Sequence, residues 1–400
     1  MEIIMKQKSG FLKGALCGAL TALLIVGLVS CGIIADKRQE AQSAGQSADN
    51  TAEAETKLQY LKALIDEYFI EDIDEEKLTE GIYKGYIDGL EDPYSVYYDE
   101  EETREMNETT SGEYQGVGFV VSQDKDTEII TVLQVYEDSP AQEAGIKDGD
   151  ILYKVDGEEL SGLDLTEVVR KIKGEEGTEV ELTVLRGDNA EEVTVTAVRR
   201  TIEAQTVSHE MKENGVGYIR ISEFDSVTYE QYKTALEDLE ANGMQSLIVD
   251  LRSNPGGNLV TVCDILDLML PEGTIVYTED KNGEKNEFTS DEENQFTKPL
   301  VVMMNGYSAS ASEIFAGAVQ DYGTGQIVGT QSYGKGVVQQ IFDLKDGTSL
   351  KLTIAEYFTP NGRNINGEGI TPDVEVEYEY DEANPEADNQ LDKAIEVVCQ

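Results

Sequence analysis

The 400-residue sequence predicts an α+β multidomain protein, and three patterns carry that prediction. Residues 14–35 hold no charge and follow Lys6, Lys8 and Lys13. That span is about long enough to cross a bilayer as a helix, for which roughly 20 residues suffice. Short strand-like runs punctuated by glycine fill residues 114–199, and from Gly215 onward such runs alternate with helical periodicity, which argues for an α/β core. The expected organisation is a stub and membrane anchor (1–36), a linker (37–56), a small helical domain (57–110), a β-rich module (111–199) and the α/β core (200–400).

Composition excludes several function classes. With 80 acidic against 31 basic residues, a net charge of -49, the chain lacks the clustered Lys and Arg that nucleic-acid phosphates require. The single histidine, His209, lies in a polar run beside Glu210 and reads as a surface residue. A base drawn from histidine is therefore hard to supply, and His-rich metal sites are ruled out. Cys17, Cys31, Cys263 and Cys399 show no metal-ligand spacing; a Cys263–Cys399 disulfide stays open, although nothing in the sequence asks for one. No metal, nucleotide or other cofactor is implied.

At the N-terminus the basic flank predicts that the chain starts inside and continues outside the membrane. Leu28-Val29-Ser30-Cys31 resembles a bacterial lipoprotein cleavage box, with Cys31 as the lipidated residue. The uncleaved helix is the favoured reading, because apolar residues continue through Ile33 and Ile34, and either reading anchors an extracytoplasmic protein to the cell membrane. Residues 41–56, rich in Ala, Ser, Gln and Glu, read as a solvated tether. Leu58, Leu61, Ile65, Tyr68 and Phe69 then fall at helical spacing, as do Leu78, Ile82, Tyr86 and Leu90, and Asp92-Pro93 ends the second helix. Packing, hinging or self-association into a homo-oligomer is the role such a segment can fill.

The next module opens with Gly116-Val117-Gly118-Phe119, a glycine turn entering a strand. It continues through Ser139-Pro140-Ala141, Ala144-Gly145-Ile146 and Gly149-Asp150-Ile151-Leu152 to a short helix at 168–172 and strands at 180–186 and 193–198. This series resembles a PDZ domain of the bacterial protease-associated kind, a β-sandwich or barrel. The resemblance implies that backbone N–H groups around Gly116, Val117, Gly118 and Phe119 hold a peptide's terminal carboxylate while the peptide adds to the sheet edge.

In the core, strands are expected at 216–221, 246–251, 274–278, 300–305, 326–329, 337–344 and 349–358, with helices at 227–242, after the loop Arg252-Ser253-Asn254-Pro255-Gly256-Gly257, and at 313–322. Ser310 falls where a strand gives way to a helix. Ser310-Ala-Ser-Glu313 fits a capping box, the ordinary reading of such a serine. The same position also exposes a side chain beside the unpaired N–H groups of a helix start, which suits a nucleophile. Lys335 is bracketed by Gly334 and Gly336 and leads into a buried strand. A turn lysine is ordinarily a solvated charge, but a desolvated one can accept the proton of a serine hydroxyl. A Ser/Lys dyad is the hypothesis.

The run Ser308-Ala-Ser-Ala-Ser-Glu-Ile314, Gln320-Asp321-Tyr322-Gly323 and Gly334-Lys335-Gly336-x-x-Gln339 resembles the core of the carboxyl-terminal processing peptidases, or tail-specific proteases. The resemblance covers roughly residues 58–398 and implies a crotonase-like α/β core. It makes Ser310 the nucleophile, Lys335 the general base and Gln339 the residue that orients the lysine, a neutral amide that brings no charge to hold the amine protonated. The oxyanion hole is expected from the Ala311 N–H and a second donor in the Gly256-Gly257 loop. Protein or peptide substrates with accessible C-termini follow from the same resemblance. The rival reading is a non-catalytic PDZ-containing peptide-binding scaffold, against which intact Ser310, Lys335 and Gln339 argue.

Overall fold

The computed structural model describes residues 51–400 apart from Asp188, Glu292, Asn294 and Glu386. The expected membrane segment and Cys31 lie outside the described residues; among those described, no helix is long and apolar enough to cross a membrane. The chain divides into two compact units, one ending at Thr79 and one running from Glu80 to Gln400. In the first, residues 51–68 are helical. Residues 51–56, inside the expected tether, are helical because Thr51-Ala-Glu-Ala-Glu-Thr56 is dominated by good helix formers. The helix Glu75–Asp88 follows and crosses the division.

Residues 57–110, expected as a small helical domain, span the division between the units, and those from Glu80 onward belong to the larger one. There the strand Val96–Tyr98 pairs antiparallel with Ser349–Phe358. The helix Glu100–Ser111 then starts from a capping box in which Asp99 and Glu102 exchange side-chain bonds with each other's N–H. Neither element showed in the hydrophobic pattern, since three residues are too few for a period and the helix buries no residue.

The β-rich module is a sheet in the order Phe119–Gln123, Ile130–Val135, Ile151–Val155, Glu179–Arg186, Glu191–Val198, closed over a core that includes Val132, Val168, Val180 and Leu182. Phe119–Gln123 lies at its edge. The helix Leu165–Ile172 buries Val168 and Ile172 in this core. Glu113–Gly116 pairs with Arg200–Glu203, so the module enters and leaves the rest of the chain through one two-stranded ribbon.

The α/β core holds a six-stranded sheet in the order Val207–Met211, Val216–Ile221, Ser246–Asp250, Leu300–Met304, Gln326–Gly329, Val374–Glu375. Only the first pair is antiparallel. Ser246–Asp250 and Leu300–Met304 are buried along their whole length, as parallel strands covered on both faces must be. One face packs the helices Thr228–Ala241, Leu259–Asp267 and Ala311–Tyr322, and the other the C-terminal helix Asn389–Val398. A second sheet joins Ser349–Phe358 to Val96–Tyr98, Val337–Asp343 and Gly273–Asp280, which also pairs with Lys285–Ser290. Cys263 and Cys399 are both free thiols, the first buried with its pKa pushed up to about 12 by that burial and the second exposed.

Candidate active site

Three neighbouring parallel strands deliver the candidate residues to one edge of the sheet. Ser246–Asp250, Leu300–Met304 and Gln326–Gly329 run side by side, Asp250 opposite Met303 and Met303 opposite Val328. The loop with Asn254, Gly256 and Gly257 leaves the first, the Ser310 turn leaves the second, and the segment with Lys335 leaves the third. Open parallel sheets bind ligands at this carboxyl edge.

The first two loops are sewn together by backbone and side-chain bonds. Asn254 is fully buried; its Nδ2 donates to the Ile221 carbonyl at 3.0 Å, its Oδ1 accepts the Gly256 N–H at 2.8 Å, and its carbonyl accepts the Ala309 N–H and the Ser312 hydroxyl, both at 3.0 Å. Ser308 Oγ donates to the Leu251 carbonyl at 2.8 Å. The alternating serines therefore have different jobs. Ser308 and Ser312 are each 1% exposed and serve as struts, whereas Ser310 stands in a capping box with Glu313, whose carboxylate accepts its N–H.

Ser310 adopts φ 55° and ψ -113°, a left-handed conformation rare outside glycine. Its carbonyl takes the N–H groups of Glu313 and Ile314 at 2.8 and 3.0 Å. A Cβ at Gly256 would stand 2.8 Å from the Ser310 Cβ and 3.0 Å from the Ala311 nitrogen, so only glycine lets the loop come this close. The Gly256 N–H is spent on Asn254. Those of Ala311, next to Ser310 in the chain, and of Gly257, next to Gly256, donate to no described group.

Glu313, fully buried, ties Ser310 to Lys335. Its Oε2 accepts the N–H of Ser310 at 2.8 Å and of Lys335 at 2.9 Å, and its Oε1 accepts the Ser332 hydroxyl at 2.6 Å and the Gly334 N–H at 2.7 Å. Burial raises its pKa against the pull of these donors. The buried Tyr357 hydroxyl adds a second tie, donating to the carbonyls of both Ser310 and Lys335. Burial lowers the Lys335 pKa and the Lys351 charge adds to that, while Asp92 and Glu313 oppose them. The amine rests 4.6 Å from the Tyr94 ring centroid and, among the described residues, makes no hydrogen bond to Ser310. Gln339, at a bulge in Val337–Asp343, donates through Nε2 to Thr353 Oγ1 at 3.2 Å, which leaves Oε1 as a free acceptor.

Sequence reasoning missed Asn254, Tyr357 and Tyr94 as parts of this site, and saw Glu313 only as a capping partner. Asn254 and Glu313 carried a signal, each sitting inside a singled-out motif; Tyr357 and Tyr94 carried none. His209 stands apart from the site, on the edge strand Val207–Met211 with Asp238 Oδ2 at 3.1 Å.

At the edge of the β-rich module, Gly118 has φ 84°, and a Cβ there would lie 2.5 Å from the Ser139 Cβ. The Ser-Pro-Ala helix packs on this turn, the Ala141 N–H donating to the Val117 carbonyl at 2.8 Å. The N–H groups of Val117 and Gly118 donate to no described group. Gly116 is paired in the ribbon opposite Arg200, and Phe119 opens the edge strand.

A β-module whose edge turn leaves N–H groups unpaired among the described residues, together with an α/β core that carries a serine on a strand-to-helix turn, defines a class, the PDZ-bearing serine endopeptidases. Known proteins carry this further. The profile of peptidase family S41 matches residues 215–376, a PDZ profile matches 131–186, and that of the activating protease CtpB N-terminal domain matches 25–103. The chain is 36% identical over 335 residues to the carboxy-terminal processing protease CtpA of Bacillus subtilis, covering 83% of this chain and 71% of that one. It is 34% identical over 357 residues to CtpB of the same organism, covering 88% and 74%. A putative S41 protease from Bacteroides fragilis shares the fold, with a TM-score of 0.51 at 16% identity over 79% of this chain and 90% of that one. The chain belongs to peptidase family S41, as a carboxy-terminal processing serine protease.

Proposed function

We propose that this protein is a membrane-anchored, extracytoplasmic endopeptidase that takes protein C-terminal tails on its PDZ domain and cuts them with a Ser310/Lys335 dyad. The observation that carries the dyad is the double tie of Ser310 and Lys335 through Glu313 and Tyr357, in a chain whose only histidine lies elsewhere. Lys335 Nζ, neutral, takes the proton of the Ser310 hydroxyl as Oγ bonds to the scissile carbonyl carbon. The oxygen gains the negative charge and is met by the N–H groups of Ala311 and Gly257, the second donor being Gly257 because Gly256 is already bonded. The C–N bond breaks as Lys335 returns the proton to the leaving amine. Water, deprotonated by the same lysine, then hydrolyses the acyl ester and frees Ser310. Gln339 Oε1 is the acceptor that orients the amine during transfer.

The tail is bound as an added strand along Phe119–Gln123, its carboxylate at the turn Gly116–Phe119, where free N–H groups and an open edge support the reading. The six-stranded core is of the crotonase-like sort, and residues 14–35 or a lipid on Cys31 hold the protein at the membrane. Substituting Ser310→Ala tests the function: cleavage of a tail-bearing protein falls at least a thousandfold while tail binding persists. Lys335→Arg, permanently protonated, is as inactive. Undiminished cleavage by Ser310→Ala overturns the nucleophile assignment, and cleavage by Lys335→Arg moves the base elsewhere. The scaffold reading requires that the wild-type protein cut nothing in the same assay.

A further inference from the structure

The helix Glu75–Asp88 is followed by Asp92-Pro93-Tyr94-Ser95, which the strand Val96–Tyr98 anchors on Ser349–Phe358. This loop reaches the catalytic lysine from a part of the chain far away in sequence. The Tyr94 ring lies beneath the Lys335 amine, 4.6 Å from centroid to Nζ. The Asp92 carboxylate accepts the Ser95 hydroxyl and the Tyr94 N–H at 3.3 Å. Ser95 is buried, and its Oγ accepts the Thr353 N–H at 3.1 Å. Thr353 Oγ1 in turn accepts Gln339 Nε2. By way of Ser95 and Thr353, a chain of bonds thus runs from Asp92 to the residue assigned to orient the lysine.

Resting on the reading of Lys335 as base, we propose that the Asp92–Ser95 loop completes the catalytic site, with Tyr94 closing over the Lys335 amine and Asp92 fixing Gln339 through Ser95 and Thr353. Both are positioning residues, acting through the dyad. Tyr94 shields the amine from water, which favours its neutral form; the attraction of the ring for an ammonium works the other way and is the weaker effect on a desolvated amine. Asp92 supplies negative charge that opposes this, so the loop balances the protonation of the base. The other groups around Lys335 are Lys351 from Ser349–Phe358, Glu313 from the Ser310 helix and Tyr357, whose hydroxyl meets the Lys335 carbonyl, and Tyr333 lies two residues before it in the chain. None of them lies on the loop, so changes within it are separable from theirs.

The test is the pH dependence of kcat/KM for the full chain, on a quenched fluorescent peptide ending in a free apolar residue. Tyr94→Ala lets water reach the amine, so the acid limb moves to higher pH and the rate at pH 7 falls about tenfold. Tyr94→Phe, which keeps the ring, returns the limb to its wild-type position. Asp92→Asn removes a negative charge, moves the limb to lower pH and, by loosening Gln339, lowers the high-pH plateau. Opposite shifts from two residues of one loop are a signature that a merely structural role does not produce. A Tyr94→Ala profile reduced by one factor at every pH overturns the proposal. If the alanine variant fails to fold, an unmoved limb in the near-isosteric Asp92→Asn overturns it equally. Lys335→Ala is measured alongside: if it keeps an active profile with the same limb, the dyad itself is wrong, whereas a dead Lys335→Ala with unmoved loop variants refutes the loop alone.

Discussion

Two turns in this molecule leave backbone N–H groups without a partner among the described residues, and they are built in opposite ways. At the PDZ edge the left-handed position is a glycine, Gly118, pressed against Ser139. At the core the left-handed position is Ser310 itself, and the glycine that permits close approach, Gly256, stands across from it on another loop. A turn that only receives a carboxylate can relax into glycine. A turn that must also carry a hydroxyl keeps a side chain in a conformation costing about 1 kcal/mol or more, and surrounding bonds from Glu313, Tyr357 and Asn254 hold it there. On the proposed roles, binding and catalysis use one backbone device, and the difference lies in what has to restrain it.

The sharpest way to break the comparison is to remove that restraint. Glu313→Gln substitutes a donor for one of two oxygens that each accept two bonds, so at least one buried N–H or hydroxyl loses its partner. A hundredfold loss in kcat, with KM little changed, and a loss of about 2–3 kcal/mol in unfolding free energy are expected; unaltered kcat would mean that the turn holds itself. At the PDZ turn, Gly118→Val forces a side chain into Ser139 and disfavours the left-handed backbone. Calorimetry with a tail peptide should show at least a tenfold weaker Kd, with KM for tail-bearing substrates rising more than kcat falls. Equal affinity would place the carboxylate site elsewhere. The smallest effect separates strain from chemistry. Ser310→Gly and Ser310→Ala are both inactive, but the glycine variant should be about 1 kcal/mol more stable because it accepts φ 55° freely. Denaturant unfolding reads the difference, and an alanine variant of equal or higher stability would mean that the turn stores no strain.

Much of the fold was legible because it follows from local pattern. The strands Val216–Ile221, Gln326–Gly329 and Ser349–Phe358 coincide with the apolar runs that predict them, and the helix Ala311–Tyr322 extends the expected one by two residues at its start. Edge elements such as Val207–Met211 and Lys285–Ser290, largely exposed and polar, gave no such pattern. The last residues of the expected solvated tether, 51–56, are exposed and helical, a polar Ala/Glu sequence suiting either an extended or a helical state until its continuation decides.

The sequence by itself determined the order of domains, the pairing of chemical types and the identity of Ser310 and Lys335 as candidates, since these rest on motifs contiguous along the chain. Tertiary structure alone decided how they are held. Three parallel strands bring their loops to one edge, Glu313 turns from a cap into a bridge, Gly256 is excluded as a donor by Asn254, and Tyr94 arrives beneath the lysine from a distant loop. The physical reason is the same for each: a hydrogen bond or a ring contact depends on separation in space, and strand order, which no local pattern encodes, sets that separation.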